Sequence, residues 1–359
     1  MFSSLPPSVL YLIALTASLC ISLYSVKKII FITRKRKIFD IPDNVRKFHG
    51  AQIPSLGGIG IFIGFIATVP FFVHHEVEGW NFVVISATIL FFTGIYDDIM
   101  NMRPSKKLLA QFIASAVTVY FADLRIVSLY GILGIQEIPY WLSVGLTTFL
   151  CTFFINVFNF IDGIDGLACM ISMLCTGILG GLFAVYGGTA QACMAFCLTG
   201  ATGGLLFYNY APAEIYMGDT GSMVNGFCIW VLAILWLRRF DDFTLPAGTI
   251  VHSAASGMLI AAAIIFPPIF DALRVFAIRA SKGISPLKAD RRHLHYYLLD
   301  SGRSHAATAW LLVAVNLTTV IIAVVLQDAP PLLVLGCITV PSFITAVVAS
   351  RLRRNSLVA

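Results

Sequence analysis

Residues 140–168 read YWLSVGLTTFLCTFFINVFNFIDGIDGLA, an apolar segment that ends in a row of amide and carboxylate side chains. The apolar part, about 139–155, approaches the length of a helix that spans a bilayer. The polar part, NVFNFIDGIDGLA (156–168), carries carboxylates that are costly in or near lipid and usually mark function there. This stretch predicts a membrane helix with a functional site at its end.

The whole chain has the composition of a membrane protein. Of its 359 residues 58% are hydrophobic and only 12% are charged, with a mean hydropathy of +0.87, whereas soluble domains carry about 25% charged residues. The eight cysteines lack CxxC spacing, which excludes a disulfide framework or a zinc site. Eleven apolar stretches are candidate spans: 8–26, 54–73, 81–96, 108–123, 139–155, 166–185, 190–208, 222–237, 248–267, 307–326 and 330–350. We predict an all-α polytopic membrane protein with one domain, residues 1–359.

The distribution of charge predicts the orientation. With the N-terminus outside and the C-terminus in the cytoplasm, every Lys and Arg except Arg125, Arg238 and Arg239 lies on the cytoplasmic side. We expect Asp241 and Asp242 to neutralise part of the charge of the last two. The net charge of +6 is therefore a topology signal and predicts no nucleic-acid partner. The same topology places seven acidic residues together on the cytoplasmic side: Asp97, Asp98, Asp162, Asp165, Glu214, Asp219 and Asp290. Their clustering predicts one cytoplasmic active site built from several loops.

Two adjacent carboxylates, Asp97 and Asp98, end the third apolar stretch. Such a pair repels itself unless a cation or a proton intervenes, and Mg²⁺ prefers one or two carboxylates together with substrate phosphates. The alternative is a solvated pair at a helix end. Lys106 and Lys107 follow and could meet phosphates or lipid headgroups, or could simply anchor the topology.

Polar side chains recur every third residue in NVFNFIDGIDGLA. If the helix continues, Asn156, Asn159, Asp162 and Asp165 share one face. A polar stripe at a membrane surface favours a metal, a nucleotide or water, and the alternative is a stripe that packs against neighbouring helices.

A glycine-flanked carboxylate opens the eighth stretch in MGDTGS (217–222). Thr220 and Ser222 are expected to cap the helix that follows, and a helix N-terminus favours anions. Asp219 could hold a metal that bridges those anions, although the motif is also ordinary turn chemistry.

The longest polar segment, SKGISPLKADRRHLHYYLLDSG (281–302), is basic. Arg291, His293 and His295 suit a diphosphate. The alternatives are a basic anchor for lipid headgroups and, less in keeping with the absence of nearby cysteines, a zinc site.

Five segments, in this order along the chain, resemble the polyprenyl-phosphate N-acetylhexosamine-1-phosphate transferases (glycosyltransferase family 4): DIPDNVRKFHG with IPSLGG, the Asp97–Asp98 pair, NVFNFIDGIDGLA, GDTGS and FPPIFDALRVFAIRASKGISPLKADRRHLHYYLL. The last is more similar to the WecA/TagO type than to the muramoyl-pentapeptide transferases. The resemblance implies a bacterial multi-pass inner-membrane enzyme of cell-envelope polysaccharide synthesis. It implies transfer of the sugar-1-phosphate from a UDP-N-acetylhexosamine, with UDP-N-acetylglucosamine expected, to polyprenyl (undecaprenyl) phosphate with release of UMP.

The resemblance also assigns roles. It implies Mg²⁺ or Mn²⁺ as the cofactor, the lipid bilayer as the setting, and a homodimer as an ordinary assembly. By position, the roles are catalysis for Asp97, Asp98, Asp162 and Asp165; metal binding for Asp219 and Asp98; and substrate binding for Asn156, Asn159, Lys106, Arg291, His293 and His295. Asp97 corresponds to the residue that binds or deprotonates the lipid phosphate. The chain departs from the family pattern at Asn101, where relatives often carry an acidic residue, and at Tyr296, where they often carry a third histidine.

Three other functions compete with this one. A muramoyl-pentapeptide transferase would be expected to carry a run of histidines where this chain has DRRHLHYY. A transporter of lipid-linked sugars would carry charges near mid-membrane and a repeat symmetry. A catalytically inactive scaffold would have lost one of the motif carboxylates, and all of them are present.

Overall fold

The computed structural model describes residues 5–36, 53–73, 77–240, 250–285 and 290–356. Within these ranges the secondary structure is helical, apart from one isolated β-bridge between Ser128 and Glu137. The helices are α1 (Pro7–Arg36), α2 (Gly58–Thr68), α3 (Pro70–Val73), α4 (Trp80–Met100), α5 (Pro104–Phe121), α6 (Tyr140–Ile161), α7 (Leu167–Val185), α8 (Thr189–Asn209), α9 (Gly218–Arg238), α10 (Ala254–Ala280), α11 (Leu294–Asp300), α12 (His305–Val325) and α13 (Pro331–Ser356). The segment DIPDNVRKFHG (40–50) and the pair Asp241–Asp242 lie outside the described residues.

Each of the eleven predicted apolar stretches coincides with helix. Nine of the described helices are long and apolar enough to cross a bilayer: α1, α4, α6, α7, α8, α9, α10, α12 and α13. The other two stretches form the shorter pair α2–α3 and the 18-residue helix α5. The predicted all-α polytopic membrane fold is confirmed, while the count of eleven spans and the orientation stay predictions.

One predicted boundary is wrong. The ninth stretch was predicted to extend over about 248–267, but α10 continues through Pro267 and Pro268 to Ala280. Pro268 has no N–H to donate to the carbonyl of Ile264 four residues earlier, and that carbonyl instead accepts a hydrogen bond from Cys175 Sγ at 3.4 Å. A neighbouring helix therefore satisfies the freed backbone group, as is common within membranes. At Pro70, in contrast, one helix ends and the next begins, between α2 and α3.

Helix α9 lies at the centre of the molecule, with almost every residue from Thr220 to Leu237 buried. A polar junction fixes it between α7 and α8. Asn225 Oδ1 accepts hydrogen bonds from Ser172 Oγ (2.9 Å) and Thr202 Oγ1 (3.0 Å), and Asn225 Nδ2 donates to the carbonyl of Gly221 (3.1 Å). Because helix association in lipid relies on packing and interhelical hydrogen bonds, this junction holds α9 in register.

The end of the bundle away from the seven clustered acidic residues has its own polar contacts. Arg125 contacts Asp123 Oδ1 at 2.7 Å, and Arg238 donates to the Asp123 carbonyl at 2.8 Å. Arg239 donates to the carbonyl of Tyr186. Arg238 and Arg239 thus both donate to backbone carbonyls. Asp241 and Asp242, which were expected to neutralise these arginines, lie outside the described residues.

Candidate functional site

Three chain segments meet at one end of the bundle: the last turn of α4, the turn between α6 and α7, and the first turn of α9. They surround a cavity of about 280 Å³. Its wall includes six of the predicted residues: Asp98, Asn159, Asp162, Asp165, Asp219 and Arg291. Residues from distant parts of the sequence therefore form one polar site.

A lysine lies between two of the carboxylates. Lys107 Nζ is 2.9 Å from Asp97 Oδ2 and 2.8 Å from Asp219 Oδ1. Asp97 Oδ1 also accepts a hydrogen bond from the backbone N–H of Met102 at 2.6 Å. The neighbouring Lys106, which the sequence singled out, is exposed and is not part of the cavity wall. The ammonium group of Lys107 thus balances two acidic groups that would otherwise repel each other.

The predicted polar stripe divides into two parts. Asn159 Nδ2 donates to Asp219 Oδ1 and to Ser222 Oγ (2.8 Å) and so joins α6 to α9 at the cavity. Asn156, one turn earlier, donates to Gln111 Oε1 (2.7 Å) on α5 and does not line the cavity. Of the two asparagines, Asn159 is therefore the one placed to orient a carboxylate in the site.

The stripe is not one continuous helical face. Helix α6 ends at Ile161, and Asp162 is its C-cap with a non-helical ψ of 53°. Asp162 Oδ2 accepts from the N–H of Gly218 at 3.1 Å, and Asp165 Oδ2 accepts from the N–H of Ala213 at 3.2 Å. The glycine-containing sequence favours a turn here, so these two carboxylates contact different loops and yet line the same cavity.

The cap of α9 differs from the prediction. Thr220 and Ser222 were expected to cap this helix, but its N-cap residue in the described structure, Met217, makes no side-chain cap bond. The carboxylate of Asp98, from α4, accepts from the N–H groups of Asp219 (2.8 Å) and Thr220 (3.0 Å) and from Thr220 Oγ1 (2.5 Å). The anion expected at this helix N-terminus is thus a side chain of the protein itself.

Backbone approach at this point requires a glycine. Gly218 has φ +72°, and a Cβ there would lie 1.9 Å from the carbonyl oxygen of Ser55 and 2.8 Å from Asp98 Oδ1. Both the left-handed conformation and the contact with Asp98 exclude a side chain.

Two of the seven clustered acidic residues make ion pairs away from the cavity. Glu214 Oε2 pairs with Arg34 at 3.1 Å on the surface. Asp290 pairs with the buried Arg279 at 3.0 Å and with Arg292 at 3.4 Å. Burial raises the pKa of Asp290, but the hydrogen bond and charge of Arg279 outweigh it and lower the pKa overall. The remaining five acidic residues make up the site.

The basic segment presents an arginine to the cavity. Arg291 lines the wall, pairs with Asp300 at 3.0 Å and lies over the ring of Tyr296 at 4.9 Å from the centroid. Tyr296, the departure from the family pattern, also lines the wall.

Both predicted histidines are buried behind that wall. His293 Nδ1 lies 2.9 Å from Asp271 Oδ2. His295 is 1% exposed, and its Nε2 has no hydrogen-bond partner among the described residues. A Cβ at Gly163 would lie 2.3 Å from that nitrogen, so the His295 ring packs against the turn between α6 and α7. Burial lowers the pKa of His295 to about 3, which keeps the imidazole neutral. Contact of either histidine with a diphosphate stays a prediction.

Sequence reasoning named Lys107 beside Lys106 but gave the substrate-binding role to Lys106 alone, and it gave no role to Asp271 or His305. The sequence could have favoured Lys107, because the polar residues Gln111, Ser115 and Thr118 follow it at helical spacing and so share its face. These three residues are buried on α5. His305 lines the cavity with Nδ1 3.3 Å from Asp165 Oδ1. It lies ten residues after His295, and nothing local in the sequence marks it.

The donor groups fit a hard divalent cation. Among the described residues, no three His, Cys, Asp or Glu side chains are arranged as a ready-made metal site. Mg²⁺ does not need such a set, because it takes one or two carboxylates and completes its shell with water and phosphate oxygens. Asp219, Asp162 and Asp98 line one cavity, and Asp219 already contacts the cation of Lys107.

This fold and cavity define a polytopic membrane protein with an acidic site where its helices end. The model of the family described as Glycosyl transferase family 4 matches residues 80–237, from α4 to α9. A decaprenyl-phosphate N-acetylglucosaminephosphotransferase from Mycolicibacterium smegmatis is 30% identical over 74% of this chain and 70% of its own length. The chain belongs to glycosyl transferase family 4.

Two further relatives agree with this assignment. A protein of Bacillus subtilis named "Probable undecaprenyl-phosphate N-acetylglucosaminyl 1-phosphate transferase" is 29% identical over 81% of this chain and 77% of its own length. The undecaprenyl-phosphate alpha-N-acetylglucosaminyl 1-phosphate transferase of Escherichia coli K12 is 29% identical over 76% and 71%. The resemblance drawn from the sequence motifs is confirmed.

Proposed function

We propose that the protein transfers N-acetylglucosamine-1-phosphate from UDP-N-acetylglucosamine to a polyprenyl phosphate in the bacterial inner membrane and releases UMP. One observation carries this proposal: the Asp97–Lys107–Asp219 contacts lie beside a cavity lined by three further aspartates, within the segment that the family matches. The names of the relatives support the sugar and the lipid acceptor.

The reaction moves the sugar-linked phosphate from one phosphate group, that of UMP, to another, that of the lipid. An oxygen of the lipid phosphate forms a bond to the sugar-linked phosphorus, the bond from that phosphorus to the bridging oxygen breaks, and UMP leaves with the bridging oxygen. Both reactants are anions, so positioning and charge neutralisation matter more than covalent help. Among the described residues, Lys107 and Arg291 are cationic side chains at the site that can contribute to this neutralisation.

Mg²⁺, or Mn²⁺ in its place, is the proposed cofactor. Asp219 would hold the ion, which would neutralise charge on the diphosphate and polarise it.

The chain's own side chains prepare the site. Lys107 and Asn159 both contact Asp219 Oδ1 and so fix its carboxylate. Asp97 lies on the other side of the same lysine, where it would receive the proton of the lipid phosphate. Arg291 would bind the diphosphate from the opposite wall. A homodimer remains an expectation from the family.

The test uses purified protein in native-like lipid with undecaprenyl phosphate, Mg²⁺ and a panel of UDP-sugars, and follows UMP release. We expect release with UDP-N-acetylglucosamine that stops on addition of EDTA. Release with UDP-N-acetylmuramoyl-pentapeptide alone would indicate the muramoyl-pentapeptide transferase activity instead. A folded protein that releases no UMP with any donor would overturn the proposal.

A further inference from the structure

Both carboxylate oxygens of Asp98 accept hydrogen bonds from helix α9. Oδ1 accepts from the N–H of Asp219, and Oδ2 accepts from both the N–H and the hydroxyl of Thr220. These three bonds join the end of α4 to the start of α9, more than 120 residues later in the chain. They occupy the position that a side-chain cap within α9 would otherwise take.

The contact between Asp98 and α9 also fixes the backbone of Asp219. The backbone of Asp219 is bound by Asp98, while the carboxylate of Asp219 is bound by Lys107 and Asn159. Asp98 therefore sets where the first turn of α9 begins, and with it the direction in which Asp219 projects.

A metal ion would compete with these bonds. If Asp98 turned to ligate a cation, it would leave two N–H groups and the buried Thr220 hydroxyl without their acceptor. Unsatisfied groups of this kind are costly in a buried setting. A carboxylate at a helix N-terminus is also favoured by the helix dipole, so the present arrangement is doubly stabilised.

We propose that Asp98 is a positioning residue that caps α9 and holds Asp219 in place, and that it is not a metal ligand. The inference deepens the proposed function. The role of Asp219 in the reaction rests on that function, whereas the cap on α9 does not.

The test is a double-mutant cycle of Asp98→Asn and Thr220→Val, read as the thermal unfolding midpoint in EDTA and again in saturating Mn²⁺. We expect the two substitutions to be non-additive, and equally so in both conditions, because the cap persists when the metal binds. Coupling that disappears with Mn²⁺ would show that Asp98 moves to the metal and would overturn the proposal. Additive effects in EDTA would show that the cap contributes nothing and would overturn it as well.

A second measurement covers the case in which Asp98→Asn fails to fold. Thr220→Val alone should weaken Mn²⁺ binding roughly fivefold, about the effect of one hydrogen bond, measured by electron paramagnetic resonance of free Mn²⁺. Thr220→Ser, which keeps the hydroxyl, should bind Mn²⁺ as the wild type does. Unchanged or tighter binding by Thr220→Val would mean that Asp98 is released to ligate the ion. Neither readout needs a sugar donor or a lipid acceptor, so its failure is distinct from a failure of the transferase assay.

Discussion

At the scale of single residues, Lys107 is the side chain on which the site depends most. Replacing it in Lys107→Met would leave Asp97 and Asp219 facing each other without their shared cation. We expect UMP release to fall by about 100-fold or more, the usual effect of removing a group that stabilises charge in the reaction. Lys106→Met is the matched control, because Lys106 is exposed and, unlike Lys107, has no described ion pair with Asp97 or Asp219. Equal losses in the two variants would contradict this assignment.

Gly163 is the second residue with a sharp expectation. A methyl group in Gly163→Ala would lie 2.3 Å from His295 Nε2 and 2.9 Å from the Tyr296 hydroxyl. The turn and the basic segment must then separate, so we expect a loss of UMP release together with a lower unfolding midpoint. Gly177→Ala, on α7 with nothing within 4 Å of the added carbon, should leave both unchanged. Full activity in Gly163→Ala would show that the two segments are not in contact.

His295 gives a pH dependence of stability. Its pKa is lowered from 6.5 to about 3 by burial. Between these values the unfolded chain binds a proton that the folded chain does not, so stability falls as the pH falls through this window. The loss approaches about 1.4 kcal/mol per pH unit. The wild type should therefore lose more stability than His295→Gln between pH 7 and pH 5, measured as the unfolding midpoint in detergent. Parallel losses would indicate that His295 takes up a proton in the folded state.

At the scale of elements, α9 owes its position to a buried amide. Replacing Asn225 in Asn225→Leu removes the acceptor of Ser172 and Thr202. Two buried hydroxyls without partners cost on the order of 1–3 kcal/mol each, apart from any bond they regain within their own helices. We expect a marked drop in the unfolding midpoint, with a smaller drop in Ser172→Ala, which removes one donor only. A drop in Ser172→Ala as large as that in Asn225→Leu would contradict the central role of the amide.

The sequence predicted the helices themselves better than their ends. Apolar runs place each span because lipid demands a continuous apolar surface, and that signal is local. The end of α10 was missed because Cys175, on another helix, satisfies the carbonyl that Pro268 frees. The stripe from Asn156 to Asp165 was read as one helical face because nothing in its spacing shows where α6 stops.

At the scale of the whole molecule, the last helix supports the cavity wall. Arg353 on α13 contacts Asp300 at 3.0 Å, and Asp300 contacts Arg291 on the wall at 3.0 Å. In Arg353→Gln we expect Arg291 to be less well held, with a KM for the UDP-sugar raised about fivefold and little change in kcat. Arg354→Gln, an exposed neighbour, should behave as the wild type. An equal change in both variants would indicate a general effect of surface charge.

The composition of the site was predictable, but its connections were not. Asp98, Asn159, Asp162, Asp165, Asp219 and Arg291 were all named from motifs, because a carboxylate in an apolar context is conspicuous in a sequence. Which group each would contact depends on the packing of α4, α5, α6 and α9, and no local pattern encodes that. Asp98 was expected to hold a metal, and the sequence did not show that its carboxylate would also bind the start of α9. Both lysines were named, but nothing local showed that Lys107, and not Lys106, would contact the carboxylates.

The lysine between the two aspartates has a consequence for biogenesis. A membrane protein with several carboxylates at one point would repel itself while its helices assemble in the bilayer, before any divalent ion arrives. Lys107, carried on α5 between the two acidic helices, travels with the chain as a built-in counter-ion. The helices that carry these carboxylates can therefore assemble without an external cation between them.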